Sequence, residues 1–177
     1  EQEKELLDLP VLVVDDDKTC CESTVATLQE IGIAGEWVLT GKEAVERCAA
    51  RHKTGRDYFA VILDWKMPEM DGIATARRIR ECVGEDVTII ILTSFDFSEI
   101  EEEARAVGVN AFMAKPLFRS RLTATLRQFT SGKKEKNARN YLEDFAKENY
   151  AGKRILLVED NELNREIATE IIGMTGV

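Results

Sequence analysis

The sequence predicts an α/β protein in which helices cover both faces of a parallel sheet. Short runs of consecutive apolar residues, rich in valine and isoleucine, recur at 11–14, 60–63 and 88–92. Such runs are typical of strands that are buried on both faces. Stretches with apolar residues three or four positions apart lie between them, so that strand and helix alternate along the chain.

Five strands are expected in chain order. The three apolar runs supply the first, third and fourth strands, and weaker segments at 35–39 and 111–114 supply the second and fifth. Each segment has the length of a strand and is followed by polar or turn-forming residues.

Helices are expected where apolar residues recur at helical spacing. The apolar faces are Cys21, Val25 and Leu28; Ile73, Ala76, Ile79 and Val83; Ile100, Ala104 and Val107; and Phe118, Leu122, Thr125, Leu126 and Phe129. Gly108 follows the third face, and a glycine there is typical of a helix C-terminus. Five alternations of strand and helix are therefore expected between about residues 11 and 129.

Composition and charge narrow the function classes. The 177 residues carry 24 basic and 33 acidic side chains, and the net charge of −9 argues against a broad surface for nucleic acids or anionic membranes. No apolar run approaches the roughly 18 residues of a membrane span, and the acidic residues 1–5 are unlike a signal peptide. The four cysteines form no C-x-x-C pair, so we expect reduced thiols and a cytoplasmic location.

The end of the chain repeats its beginning. A shift of 144 residues places 154–177 over 10–33 and aligns apolar, acidic and glycine positions in the same order. A polar stretch and a modest amphipathic stretch separate the two copies. The expected organisation is an N-terminal extension (1–9), one domain (10–130), a linker or connector helix (131–153) and the truncated start of a second copy (154–177).

Polar side chains follow the predicted strands, at the edge where open parallel sheets bind ligands. Three aspartates at 15–17 follow the first strand, Asp64 the third, Thr93 the fourth and Lys115 the fifth. Clustered carboxylates repel one another unless a cation neutralises them, and such oxygen ligands suit Mg²⁺. With a hydroxyl and an ammonium nearby, the set suits a phosphoryl group, and one carboxylate could form an aspartyl phosphate.

Four segments resemble the motifs of bacterial response-regulator receiver domains. They are VLVVDD at 11–16, LDWKMPEMDG at 63–72, LTS at 92–94 and AKP at 114–116, in the family's order over about residues 10–130. The resemblance implies a flavodoxin-like (βα)5 fold, doubly wound, with strand order 2-1-3-4-5. It also implies a function, because this family accepts a phosphoryl group from a phosphohistidine on a partner.

The resemblance assigns acceptor and metal roles residue by residue. Asp64 matches the phosphoacceptor, Asp16 a direct Mg²⁺ ligand, and Asp15 an acidic neighbour that often acts through water. Lys66 matches the position whose backbone carbonyl binds the metal. Its cationic side chain departs from the neutral or acidic residues frequent there, which leads to the hypothesis that Lys66 leans toward the phosphoryl group and alters the phosphoaspartate lifetime.

The resemblance also assigns the residues that respond to phosphorylation. Thr93 matches the switch hydroxyl that reaches for a phosphoryl oxygen. Lys115 matches the family's invariant lysine, and the bond from Lys115 to Pro116 is commonly cis there. Phe112 matches the aromatic switch position but lacks a tyrosine hydroxyl, so a signal at this position would travel through ring packing alone.

The C-terminal copy resembles the start of a further receiver. The segment ILLVEDN at 155–161 is a common opening of second receivers in hybrid histidine kinases, which implies the C-terminal tandem-receiver region of a bacterial hybrid sensor histidine kinase. The chain carries no ATP-binding kinase motifs of its own, and its enzyme status stays open. The implied partner is a phosphohistidine-bearing kinase or phosphotransfer domain, with neither nucleic acid nor membrane contact by this chain.

The second copy stops after one strand and one helix. It has no counterpart of Asp64, Thr93 or Lys115, so it is not expected to accept a phosphoryl group. Its apolar side, which includes Ile167, Ile171 and Ile172, would lack a sheet to cover it. We therefore expect this side to pack on a neighbour or to exchange between chains in a homodimer.

Alternative functions stay open at this point. The aspartates at 15–17, taken alone, suit a helix N-cap. A Mg²⁺-dependent phosphatase with an aspartyl nucleophile would need an aspartate where Lys66 stands. A transcriptional regulator would need a DNA-binding domain where the chain restarts a receiver. A receiver that serves only as an interaction or inhibitory module would be expected to lose Asp64 or Lys115.

Overall fold

The computed structural model describes residues 8–94, 100–130, 154–158 and 162–173. The chain divides into two compact units, 1–136 and 137–177, each of which is described by itself. The predicted linker and connector helix at 131–153 lie outside the described residues. None of the helices in the described ranges combines the length and apolar composition that a membrane crossing requires.

The first unit contains a five-stranded parallel sheet in the order β2-β1-β3-β4-β5. The strands are β1 (Pro10–Val14), β2 (Ala34–Val38), β3 (Ala60–Asp64), β4 (Thr88–Thr93) and β5 (Ala111–Ala114). Each predicted strand is present within one residue at either end. The predicted flavodoxin-like fold and strand order are confirmed.

Four helices connect successive strands, and a fifth follows β5. They are α1 (Lys18–Glu30), α2 (Gly41–His52), α3 (Gly72–Val83), α4 (Glu101–Ala106) and α5 (Arg119–Thr130). Side chains cap three of them, because Asp17, Thr40 and Asp71 accept hydrogen bonds from amides in the first turn. Such a cap contributes about 1 kcal/mol and sets where a helix begins. Gly108, at φ +90°, ends the turn after α4, as the sequence predicts.

Burial explains why some strands are more visible in the sequence than others. Every residue of β3 and β4 is buried, and β1 is buried after Pro10, because helices cover both faces of these central strands. The edge strand β2 has exposed and half-buried residues before Val38. The central strands therefore carry continuous runs of valine, isoleucine and leucine, whereas the edge strand β2 does not.

One local expectation needs correction. The spacing predicts Phe118 on the apolar face of the last helix, but Phe118 precedes α5 and is 62% exposed. Its carbonyl accepts the amide of Leu122, so the helical turn starts after it and its side chain points outside the face formed by Leu122 and Leu126.

The second unit confirms one predicted element and lacks the other. A helix, α6 (Glu162–Gly173), follows the repeated segment, but residues 154–158 form no strand, and Leu156 and Val158 are exposed. A parallel strand needs neighbours to pair its backbone groups, and among the described residues of this unit there is no second strand. The side chains of Ile167 and Ile171 lie outside the described residues, so the predicted homodimer contact stays a prediction.

One arginine joins three segments at the end of the sheet opposite the polar strand ends. Arg80 of α3 donates to the carbonyls of Gly84, Val87 and Gly108 at 2.7–3.1 Å, and to the side-chain oxygen of Asn110 at 2.7 Å. A Cβ at Gly108 would lie 2.9 Å from the Arg80 Nε, so this close approach requires glycine. The guanidinium thereby ties α3 to the start of β4 and to the turn before β5.

We expect Arg80→Met to destabilise the domain by about 2 kcal/mol, because several half-buried carbonyls lose their donor while the apolar stem is kept. Urea unfolding followed by circular dichroism measures the loss. Arg78→Met changes an exposed arginine of the same helix and serves as the matched control, with an expected change below about 0.5 kcal/mol. Equal stabilities of the two variants would contradict a structural role for Arg80.

Candidate functional site

The carboxyl ends of four strands meet at one edge of the sheet. Hydrogen bonds continue past the strands, from the amide of Trp65 to the carbonyl of Leu92 at 2.9 Å and from the amide of Lys115 to the carbonyl of Thr93 at 2.8 Å. The amide of Asp15 donates to the carbonyl of Val38 at 3.4 Å in the same way. Since these bonds extend the ladder, the residues that follow the strands are held as firmly as the sheet itself.

Three aspartates form a compact acidic cluster at this edge. Asp15, Asp16 and Asp64 each offer a carboxylate oxygen, and these oxygens all lie within 4.8 Å of one another. Asp15 and Asp64 are buried, whereas Asp16 is exposed. Carboxylates this close repel each other strongly when all are ionised.

The third consecutive aspartate has a different part in the structure. Asp17 caps α1, with its Oδ1 accepting the amides of Thr19 at 2.7 Å and Cys20 at 3.4 Å. These backbone hydrogen bonds lower the pKa of the exposed Asp17 carboxyl. The aspartates at 15–17 therefore have both predicted roles. Asp15 and Asp16 belong to the acidic cluster, and Asp17 is the N-cap of α1.

Lys115 offsets part of the charge of the cluster. Its ammonium lies 2.7 Å from Asp15 Oδ2 and 2.8 Å from Asp64 Oδ1. Burial alone would lower the pKa of Lys115, but the two carboxylates outweigh it and hold the pKa above its usual value. The bond from Lys115 to Pro116 is cis, as the resemblance implies.

Burial makes the ionised form of Asp64 less favourable, in spite of the ammonium beside it. Burial is the largest cause that raises the pKa of Asp64, and the charges of Asp15 and Asp16 add to it, while Lys115 acts in the opposite direction. The net effect is a pKa above the ordinary aspartate value. A further cation near the three carboxylates would therefore stabilise the ionised form.

A small cleft opens beside Asp64. It has a volume of about 80 Å³, and its lining residues are Asp64, Trp65, Lys66, Thr93, Ser94 and Lys115. Thr93 is buried at the end of β4. The ammonium of Lys66 lies 5.0 Å from the centre of the Trp65 ring, at the cleft, so a second cationic side chain stands beside Asp64.

The loop after β3 folds back on the strand end. The amide of Gly72 donates to the carbonyl of Trp65 at 2.9 Å, and a Cβ at Gly72 would lie 2.5 Å from the carbonyl oxygen of Asp64. Only glycine permits this approach. The preceding Asp71 caps α3 by accepting the amide of Ala74 at 2.7 Å. The Asp-Gly pair thus closes the loop that carries Trp65 and Lys66.

Phe112 lies apart from the cleft. It is buried in β5, opposite Ile91 of β4, and the guanidinium of Arg105 lies 5.7 Å from its ring centre. Arg105 is held by Glu101 of the same helix at 2.8 Å. Of the predicted site residues, the structure brings together Asp15, Asp16, Asp64, Lys66, Thr93 and Lys115.

The donor set fits a divalent hard cation. Mg²⁺ prefers oxygen ligands and is commonly bound through one or two carboxylates, with water and phosphate oxygens in the other positions. Asp15, Asp16 and Asp64 supply such oxygens. When all three are ionised, these carboxylates carry more negative charge than the Lys115 ammonium offsets, and a divalent metal would offset the remainder.

Sequence reasoning missed one residue beneath the cluster. The Cys21 thiol of α1 donates to the carbonyls of Asp15 at 3.3 Å and Val38 at 3.7 Å. Burial, followed by the charge of Asp15, raises the pKa of this thiol to about 11, so it is a neutral donor. The apolar spacing of Cys21 indicated burial, but no sequence signal indicated its hydrogen bonds.

Comparison with curated proteins places these motifs in a family. The family model for the response regulator receiver domain matches residues 11–127. The osmosensing histidine protein kinase SLN1 of Saccharomyces cerevisiae is 28% identical over 130 residues, which are 73% of this chain and 11% of that protein. The hybrid signal transduction histidine kinase L of Dictyostelium discoideum is 31% identical over 123 residues, 67% of this chain and 7% of that protein. The chain thus spans about a tenth or less of these kinases.

Solved structures show the same fold. The receiver domain of sensor histidine kinase PA1611 from Pseudomonas aeruginosa, with a magnesium ion coordinated in its active site cleft, aligns with a TM-score of 0.62 and 27% identity. The alignment covers 70% of this chain and 98% of that one. The chemotaxis protein CheY4 of Vibrio cholerae aligns with the same score and identity, over 69% of this chain and 98% of that one. The fold, the site and the family match together show that the chain belongs to the response regulator receiver family of two-component signalling.

Proposed function

We propose that this domain accepts a phosphoryl group from a phosphohistidine onto Asp64, with Mg²⁺ bound at the acidic cluster. The observation that carries the proposal is the arrangement around Asp64. A small cleft opens beside the buried Asp64 carboxylate, two further aspartates offer oxygens within 4.8 Å, and Lys115 lies 2.8 Å from the Asp64 Oδ1. Receiver domains bind Mg²⁺ at such acidic pockets and accept phosphate from histidine kinases or phosphotransfer partners.

The transfer is a displacement at phosphorus. A carboxylate oxygen of Asp64 forms a bond to phosphorus while the bond from phosphorus to the partner's imidazole nitrogen breaks. The imidazole leaves with that electron pair and takes up a proton. Since Asp64 loses its charge when it is phosphorylated, the Lys115 ammonium, 2.8 Å away, is released to pair with a phosphoryl oxygen.

Charge and hydrogen bonding around the acceptor support this step. When bound, Mg²⁺ offsets the negative charge that collects between the entering phosphoryl group and the aspartates. Asp15, Asp16 and Asp64 would hold the ion, together with the backbone carbonyl of Lys66. The Thr93 hydroxyl, at the end of β4 and on the cleft wall, would donate to a phosphoryl oxygen and so draw the segment after β4 toward the site.

We also propose that the domain belongs to a hybrid histidine kinase and relays its signal by this conformational change. The similarity to two histidine kinases and the repeated receiver-like segment at 154–177 support this context. A cytoplasmic location and a bacterial source are part of the same proposal. Phe112 would take part through ring packing beneath Arg105, since it has no hydroxyl.

Phosphorylation of Asp64 is tested with acetyl phosphate and Mg²⁺. We expect intact mass spectrometry to show one added phosphoryl group in wild type and none in Asp64→Asn. Asp57→Asn, at an aspartate outside the cluster, is the matched control and should still be phosphorylated. A Trp37→Phe background leaves Trp65 as the single tryptophan, and its emission should change with the same time course. Unchanged mass in wild type would refute the proposed function.

The Lys66 ammonium is expected to prolong the phosphoaspartate. It lies beside the cleft, within reach of an added phosphoryl oxygen, so Lys66→Asn should speed dephosphorylation by about fivefold, the effect of about 1 kcal/mol. The decay of the phosphorylated mass in the presence of Mg²⁺ measures the rate. Lys42→Asn, an exposed lysine of α2, is the control. Equal decay rates for wild type and Lys66→Asn would contradict the hypothesis.

Without Mg²⁺, Asp64→Asn is expected to raise Tm. The pKa of Asp64 is raised in the folded protein, so folding favours the protonated carboxyl. In the unfolded chain the pKa of an aspartate is about 4. The folded protein therefore loses stability as the pH rises from about 4 through the raised pKa, because Asp64 must then ionise in the folded state. The advantage of the asparagine variant should therefore grow with pH above about 4 and then level off. Adding Mg²⁺ should stabilise wild type more than the variant. Calorimetry at several pH values measures both trends, and a lower Tm for the variant at neutral pH would contradict them.

A further inference from the structure

A buried thiol lies directly beneath the acidic cluster. The Cys21 side chain, on the inner face of α1, is fully buried, and its Sγ lies 3.3 Å from the carbonyl oxygen of Asp15 and 3.7 Å from that of Val38. Both carbonyls stand where β1 and β2 end. The thiol therefore joins α1 to the ends of β1 and β2, of which β1 leads into the acidic cluster.

The carbonyl of Asp15 belongs to the peptide that links Asp15 to Asp16. A hydrogen bond to this oxygen sets the orientation of the peptide plane, and because the peptide is planar it also sets the direction in which Asp16 continues. Asp16 is exposed, so packing does little to hold it. The orientation of its carboxylate thus depends on the backbone that precedes it.

The other atoms of Asp15 are held independently. Its Oδ1 accepts the amide of Asp17 at 2.9 Å, its Oδ2 accepts the ammonium of Lys115 at 2.7 Å, and its amide donates to Val38. The thiol of Cys21 supplies the contact to the one remaining polar atom, the carbonyl. No part of this arrangement requires the thiol to touch the metal or the phosphoryl group.

We propose that Cys21 is a positioning residue for the metal site: its thiol fixes the peptide between Asp15 and Asp16 so that both carboxylates face the ion. This inference rests on the proposed Mg²⁺ site. Residues that orient ligands from behind commonly change metal affinity by 10–100-fold when they are mutated. Because a thiol is a weaker donor than most such residues, we expect a loss of about threefold to tenfold.

The test is the Mg²⁺ dissociation constant, measured by titrating Trp65 emission in the Trp37→Phe background. Cys21→Val removes the donor at similar volume, and Cys21→Ala removes it with a loss of volume. Both variants should bind Mg²⁺ about threefold to tenfold more weakly. Since both lack the donor, wild-type affinity in either folded variant would overturn the proposal, and Cys21→Val separates the loss of the donor from the loss of volume.

Matched controls separate positioning from packing. Cys48 is a second buried cysteine, in α2 and outside the cleft, so Cys48→Val and Cys48→Ala should lower Tm without changing Mg²⁺ affinity. Affinity lost in Cys21→Ala but kept in Cys21→Val would assign the effect to a cavity and overturn the proposal. Wild-type affinity in both variants would overturn it as well. Absence of Mg²⁺ binding in wild type would instead overturn the proposed function.

Discussion

Repulsion among three carboxylates is the constraint on which the site depends. Asp15, Asp16 and Asp64 lie within 4.8 Å of one another, and two of them are buried. Lys115 stabilises the cluster, because its ammonium lies 2.7–2.8 Å from two of its members. One ammonium offsets one of three carboxylate charges, and burial raises the pKa of Asp64 further, so the ionised cluster of the metal-free domain retains negative charge. That residual charge is the physical basis for binding a divalent cation and then a phosphoryl group.

The sheet provides the rigidity that this crowding requires. β1, β3 and β4 are buried and have a neighbouring strand on both sides, and the ladder continues by one bond beyond β3 to Trp65 and beyond β5 to Lys115. Loops that start from such strands have little freedom at their first residue. The caps by Asp17 and Asp71 and the close approach of Gly72 then turn the chain away into α1 and α3 without disturbing the acidic cluster.

Much of the fold and most of the site could be predicted from local patterns. The central strands could be predicted because burial on both faces demands uninterrupted apolar residues, and the family motifs identified Asp64, Thr93 and Lys115, which end or directly follow a strand. The sequence pattern of α2 was the weakest of these helices, since its buried face consists of the small residues Gly41, Ala44 and Cys48. The prediction that Phe118 lies on the apolar face of the last helix was wrong, because its apolar side chain suggests burial although the helix starts after it.

The sequence by itself determined the order of strands and helices, the family, and the residue types that gather at the carboxyl edge of the sheet. Only the tertiary structure decided that Asp15 and Asp16 join Asp64 while Asp17 caps a helix, and that Cys21 reaches the carbonyl of Asp15. It also decided that the apolar run at 154–158, outwardly like β1, forms no strand. The physical reason is that local patterns encode burial and helix ends, whereas these outcomes depend on distances between segments far apart in the chain.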